Sequence, residues 1–426
     1  VKAWTMFNKT VLDNGVRIIS ERLDHLRSVS LSIWVNTGSR DEEKEKNGIT
    51  HFVEHMLFRG TRNRTGLEIA KELDAIGGLS NAFTGKEHTC FHARVLDKHF
   101  RPLAEILSDI YLNSIFAPED MERERQVILQ EVNMVEDTPD DNIHVLFNRE
   151  FWRDHPMGMS ILGTGETVSA IDKKDIMKYF GECYGPERVL IVAAGNVDHE
   201  EMVSYFRPLF ETLEERASDC KRRVPLSRDT VSVYFKDLEQ VHLCLGGEAP
   251  SLRSDDRYTC AILNTLLGGN MSSRLFQEIR EKKGLAYCVY SYVSSYIDTG
   301  LLGIYMATDR ESVDPALETV QHEIKKIKRG ELASAEVDAA KEHLMGGVYL
   351  ASESSDNRMM RVAKNELIFE RYISSEELVS SLAKVSVDDV IEVADRIFQD
   401  GGVSLAALGP LKEEELDKST LQFDSH

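Results

Sequence analysis

The chain has little cysteine, no surplus of positive charge and no long apolar run, and each shortage removes a class of protein. Its six cysteines, Cys90, Cys183, Cys220, Cys244, Cys260 and Cys288, lie far apart with no C-x-x-C pair. That spacing argues against a disulfide framework and against a structural zinc ribbon, and makes a reducing cytoplasm the expected compartment. Lys and Arg number 51 against 72 Asp and Glu, a formal net charge of −21. Such a balance repels phosphate backbones, so no nucleic-acid partner is expected, and its plainest consequence is solubility. No stretch approaches the roughly 18 uninterrupted apolar residues of a membrane-spanning helix. The opening residues, VKAWTMFNKTVLDNGV, lack the basic-then-apolar order of a secretory signal.

What is present is the composition of an ordinary globular protein, 42% hydrophobic and 29% charged, in 426 residues. That length exceeds a single typical core, so two or more domains are expected. The runs at 16–20 (VRIIS) and 29–35 (VSLSIWV) read as strands, and those at 49–58, 67–76 and about 118–135 read as helices. The same order recurs downstream: a strand in VHLCLGGEAP, a helix ending in LLGGN (266–270), a helix at 274–284, two strand-like runs and a long helix around 333–351. Aligning Gly60 with Gly269 shifts the numbering by 209 and sets His51, Glu54 and His55 opposite Cys260, Leu263 and Asn264. The chain therefore reads as a duplicated α+β fold, two homologous domains each with a mainly antiparallel sheet covered by helices on one face. Their expected bounds are 1–211 and 231–426, with the charged segment 212–230 as linker.

Metal chemistry is present in only one copy. In T-H-F-V-E-H-M-L-F, His51 and His55 are four residues apart, about 400° of helical turn, so both imidazoles share a face and can reach one cation. Glu54 precedes the second histidine and lies near the same face, where a carboxylate can take a proton from an attacking water. The surrounding Phe52, Val53, Met56, Leu57 and Phe58 predict a mostly buried helix, in which two unpartnered imidazoles would be costly. His88 and His92 are also four apart, but in a strand-like run. There the spacing is about 13 Å, too far to share a metal, and the two are expected to be exposed or locally hydrogen-bonded.

H-x-x-E-H is the inverted zinc motif, and over nearly its whole length the chain resembles the pitrilysin-like metallopeptidases of the mitochondrial-processing-peptidase type. The resemblance is carried by HFVEHMLFRGT, GGLSNAFTGKEHTCF (77–91), ERERQVILQEV (122–132), SRLFQEIREKKGLAY (273–287) and the duplication. It implies one zinc per chain held by His51, His55 and a glutamate of a downstream helix, with Glu54 as base. Periodicity alone does not choose among Glu122, Glu124, Glu131 and Glu136 of that helix; the resemblance selects Glu131. Glu124, two turns earlier on the same face, is then placed to support a ligand. The resemblance also makes Arg280 and Tyr287 the pair that binds substrate and steadies the oxyanion. It makes Ser80, Asn81, Ala82, Phe83 and Thr84 an edge strand that takes up an extended peptide.

Members of the family close a chamber from four such domains, so the resemblance implies a dimer whose Arg280 and Tyr287 act on the partner's zinc. A homodimer would be self-sufficient, and a heterodimer with a metal-free relative is the other arrangement. The expected activity is zinc-dependent endoproteolysis of unfolded peptides or presequence-like segments. The rival from another class is a catalytically inactive structural subunit of a larger complex, although such proteins usually lack part of the zinc set. A metal-dependent hydrolase of non-peptide bonds is disfavoured by the edge-strand segment. VEDTPDDN (135–142) reads as a solvated loop, and the tail KEEELDKSTLQFDSH as solvent-exposed.

Overall fold

A computed structural model describes residues 6–214 and 222–423; Cys220 and part of the expected linker lie outside them. Strands β1 (Met6–Val11), β2 (Arg17–Arg22), β3 (Ser28–Val35), β4 (Leu79–Thr84), β5 (Thr89–Leu96) and β6 (Val189–Gly195) form one sheet, in the order β1-β2-β6-β3-β5-β4. A second contains β7 (Val231–Phe235), β8 (Val241–Glu248), β9 (Ala286–Ser295), β10 (Gly300–Thr308) and β11 (Val403–Gly409), in the order β7-β11-β8-β10-β9. With β1 set aside, the two orders are the same. In each, the first pair is parallel and every other pair antiparallel. The fold is α+β and duplicated.

The first repeat carries helices α1 (Ile49–Leu57), α2 (Gly66–Ala75), α3 (Phe100–Asn113), α4 (Pro118–Asp137), α5 (Pro139–Phe151), α6 (Gly165–Ala170), α7 (Lys173–Cys183) and α8 (His199–Phe210). The second carries α9 (Asp256–Leu267), α10 (Val313–Lys328), α11 (Ser334–Ala351), α12 (Ser355–Phe369), α13 (Ser375–Lys384) and α14 (Val387–Ile397). The helix expected at 274–284 is a short run of π-helical turns, Phe276–Lys282. The segment expected as a loop at 135–142 is instead where α4 ends and α5 begins, with Pro139 in the first turn of α5, where its missing N–H costs nothing.

Compactness does not follow the chain as two consecutive blocks. Among the described residues, one unit holds those up to Asn133 and those within Met159–Arg222 and Leu350–Ile373; the other holds Met134–Gly158, Arg223–Tyr349 and those from Ser374 to Phe423. Each repeat thus contributes one helix to the other's sheet: α12 packs on the first and α5 on the second. This corrects the expectation of one covered face per sheet. In the first unit, Val29, Leu31 and Ile33 of β3 face a core that includes Phe52 and Leu107. On the opposite face, Trp34, Leu190 and Val192 meet Met359, Val362 and Ala363 of α12. In the second, Leu243 and Ile304 face Leu263 and Val320, while Cys244, Tyr305 and Leu408 meet Ile143, Phe147 and Phe151 of α5.

Every residue of β3 from Val29 to Val35 is buried, the two serines included. Its serines are dry because they are hydrogen-bonded. Ser30 Oγ donates to Asp356 Oδ1 (2.5 Å), and Ser32 Oγ accepts from Trp34 Nε1 (2.9 Å). Charge pins the same helix to the sheet. Arg358 and Tyr372 both reach the buried Glu21 carboxylate, at 2.8 and 2.9 Å. Glu366 takes Lys9 at 2.7 Å and Arg17 at 3.2 Å.

The tail is not solvent-exposed throughout. Leu416, Leu421 and Phe423 are buried in the second unit's core, and the Phe423 ring lies 5.7 Å from that of Phe398. Ion pairs of Glu415 with Arg310 and of Lys418 with Asp229, both at 2.6 Å, dock it alongside these apolar residues.

Candidate metal centre

α1 sends Phe52, Val53, Met56 and Leu57 into the first unit's core. Its remaining face carries half-buried His51 and His55, whose rings stand 4.5 Å apart, and the buried Glu54. This is what a four-residue spacing on a helix dictates. α4 lies across that face, buried through Met121, Ile128 and Val132.

Of the four α4 glutamates weighed as ligands, Glu122 is exposed and engaged by Arg125 at 3.1 Å, and Glu136 is exposed. Glu131 points its Oε2 at both histidines, 3.7 Å from Nε2 of each. Among the described residues, His51, His55 and Glu131 are the set of three metal-binding side chains whose ligand atoms converge, all within 4.8 Å of one another.

The donor set fits zinc. Four ligands at about 2.0–2.1 Å in a tetrahedron stand roughly 3.4 Å from one another, close to the separations seen. At 3.7 Å the histidines make no hydrogen bond to Glu131. Burial, helped by repulsion from His55, pushes His51 down to about 3, so the imidazole is neutral near pH 7 and its lone pair is free to bind a metal. With His51 neutral, its approach to Glu131 is no ion pair.

Around this set the structure adds support. Glu124, 2% exposed, accepts from Nδ1 of His55 at 3.1 Å and takes Arg59 at 2.7 Å through its other oxygen. A carboxylate behind a ligating imidazole orients the ring and raises its basicity. Arg59 escaped the sequence reading, although its spacing four residues after His55 was a signal. Nδ1 of His51 is buried without a hydrogen-bond partner among the described residues.

Glu54 accepts a short hydrogen bond from the hydroxyl of Thr84. Burial raises the Glu54 carboxyl above its usual range, against the lowering effects of Thr84 and His55, and nearby Glu131 raises it further. Thr84 is the last residue of β4, the edge strand of the first sheet. Ser80 and Asn81 are exposed there, while Ala82, Phe83 and Thr84 are half-buried. The strand of the sequence reading thus lies beside the helix of the zinc motif, a relation that no local pattern displayed.

Arg280 and Tyr287 belong to the second unit and meet each other. The guanidinium lies 4.4 Å from the Tyr287 ring centroid and 4.8 Å from that of Phe276, and Tyr287 is 78% exposed. In that unit the positions opposite the zinc motif are buried Cys260 and Leu263, with Asn264, all on α9. His88 and His92 stay outside the converging set. Both are half-buried, with Nδ1 unpartnered, and pack edge-on against Trp34 and Phe83 respectively; His88 also has a local hydrogen bond to the Glu87 backbone.

Two family models match the chain in succession: Insulinase (Peptidase family M16) over residues 17–165 and Peptidase M16 inactive domain over residues 170–344. The chain belongs to peptidase family M16. The first model spans the H-x-x-E-H motif; the second begins within the same repeat and runs into the repeat without the motif as far as residue 344. The M16 chain is 38% identical to YmxG of Bacillus subtilis, described as an uncharacterized zinc protease, over 95% of this chain and 98% of that one. It is also 38% identical to an uncharacterized zinc protease of Streptomyces coelicolor, over 96% and 91% of the two chains. The fold is that of a protease from Helicobacter pylori, with a TM-score of 0.89 at 22% identity over 95% of this chain and 99% of that one. No helix among the described residues is long and apolar enough to cross a membrane.

Proposed function

We propose that this M16 chain is a zinc-dependent endopeptidase acting on unfolded peptides or presequence-like segments, with one zinc per chain. The observation that carries the reading is the convergence of His51, His55 and Glu131 to within 4.8 Å, beside the buried carboxylate of Glu54. Zinc held by the three would supply Lewis-acid chemistry, polarising the scissile carbonyl and acidifying water. Glu54 would take the proton of the attacking water and pass it to the departing amine. Its burial favours the protonated form, which suits a base that must also serve as an acid. The Thr84 hydroxyl holds one carboxylate oxygen and leaves the other for water. β4, through Ser80–Thr84, would accept the substrate as an added strand, so that main-chain hydrogen bonds bind peptides with little regard to sequence.

Arg280 and Tyr287 carry the donors that a tetrahedral oxyanion needs. We assign them to the site of a partner chain, in a homodimeric chamber. Glu54→Gln chains mixed with Tyr287→Phe chains, each inactive alone, should then recover activity. No recovery in demonstrated mixed dimers would count against action in trans.

The primary test is mass-spectrometric cleavage of a mixed peptide library by wild type and Glu54→Gln, with bound zinc measured in both. Cleavage by wild type alone, with zinc in both, supports the peptidase and the role of Glu54. Bound zinc with no cleavage by either protein would overturn it.

A further inference from the structure

Residues 38–42 form a short loop that touches two parts of the proposed site. At its far end the Glu42 carboxylate accepts from the main-chain N–H of Gly48 (2.8 Å) and of Thr50 (2.9 Å), and from Nδ2 of Asn47 (2.8 Å). These amides open α1, where N–H groups have no partner within the helix. The capping position itself offers no side chain. Gly48 stands at φ 95°, and a Cβ there would lie 2.7 Å from the carbonyl oxygen of Leu162. Glu42 therefore caps α1 from outside the helix, and His51 follows Thr50 directly.

The near end of the loop is stitched to a different element. Ser39 N–H donates to the carbonyl of Gly85 (3.1 Å) and Arg40 N–H to that of Lys86 (2.8 Å). The Arg40 guanidinium meets Glu87 at 2.6 Å, with both side chains buried. Gly38 lies so close that a Cβ would come within 2.5 Å of the carbonyl oxygens of Gly85 and Lys86. Gly85–Glu87 lies in the turn between β4 and β5, closed by Gly85 N–H donating to the carbonyl of His88 at 2.8 Å. The loop thus grips the chain one residue beyond Thr84, whose hydroxyl reaches Glu54.

We propose that Arg40 and Glu42 are positioning residues, and that the loop holds the zinc-motif helix and the peptide-binding strand in one frame, so that a peptide added to β4 meets Glu54 at reacting distance. This rests on the peptidase reading above. The two ends act on different elements, so their effects separate. Arg40, through Glu87, governs where β4 lies and hence how a peptide docks. Glu42 governs the first turn of α1 and hence how His51 presents itself to a metal.

The test uses the full chain with Glu87→Gln and Glu42→Gln, read by kcat and KM on an unstructured quenched peptide, zinc affinity by chelator competition, melting temperature and amide hydrogen exchange. Glu87→Gln should lower kcat about tenfold and raise KM as well, while zinc affinity stays within about twofold. It should also speed exchange of the β4 amides but not those of α1. Glu42→Gln should weaken zinc binding about tenfold, with KM at saturating zinc within about twofold. If Glu87→Gln does not fold, Arg40→Lys should show the same split at smaller amplitude. Losses of activity that merely follow melting temperature, with KM, zinc affinity and β4 exchange unmoved, would overturn the proposal. Should wild type bind zinc but cleave nothing, the peptidase reading falls. The frame would then be judged by β4 exchange and zinc affinity alone.

Discussion

Nδ1 of His55 stands 3.1 Å from Oε2 of Glu124, so the ring nitrogen turned away from Glu131 has a buried carboxylate of its own. Replacing that carboxylate removes the group that orients the ring and strengthens its lone pair. Glu124→Gln should therefore lower zinc affinity by about 10- to 100-fold. Chelator competition measures it, and an unchanged affinity would reduce Glu124 to an anchor for Arg59.

Glu131 is the α4 carboxylate whose oxygen lies 3.7 Å from both Nε2 atoms. Glu131→Gln keeps the shape and removes the charge, and should weaken zinc binding by about tenfold or more. Full zinc retention would mean that another side chain completes the set.

Thr84 donates to Glu54 and thereby holds that carboxyl lower than burial alone would. In Thr84→Val the lowering influence is gone, so Glu54 is protonated up to a higher pH. The acid limb of the kcat/KM profile should move to higher pH, with zinc content unchanged. An unmoved limb would assign it to another group.

His51 and His88 are each pushed down to about 3, chiefly by burial. Between about 3 and the unfolded value near 6.5, the unfolded chain binds more protons than the folded one. The metal-free protein should accordingly lose stability as pH falls below about 6.5, by up to about 1.4 kcal/mol per pH unit for each such histidine. Chemical denaturation of chelator-treated protein between pH 7 and 4.5 checks the sign, and His51→Asn should flatten the slope. A slope identical in wild type and variant would show that His51 takes no part.

Glu21 is wholly buried between Arg358 and Tyr372, where it ties α12 to the first sheet. Glu21→Gln leaves the half-buried Arg358 guanidinium without its counter-charge and should cost about 1.5–3 kcal/mol. A loss below about 1 kcal/mol by denaturant titration would mean that the apolar contacts of Met359, Val362 and Ala363 hold the helix without it.

The local content of the site was legible in the sequence. The spacing of His51, Glu54 and His55 determines a shared helix face, since helical geometry relates residues four apart whatever surrounds them. The repeated order of strands and helices likewise announced the duplication, and the two matching sheet orders bear it out. Only the tertiary structure decided what depends on contacts between distant segments. It brought Glu131, rather than Glu122 or Glu136, up to the imidazoles, because the crossing of α4 over α1 selects one face of a helix whose glutamates look alike in sequence. It turned the serine face of β3 into a buried one, because α12 arrives from some 320 residues further along the chain to cover it. It set Thr84 beside Glu54 and Glu42 at the head of α1, since hydrogen bonds between distant segments leave no periodicity to read. Short-range pattern encodes which face a side chain takes; long-range packing determines what that face meets.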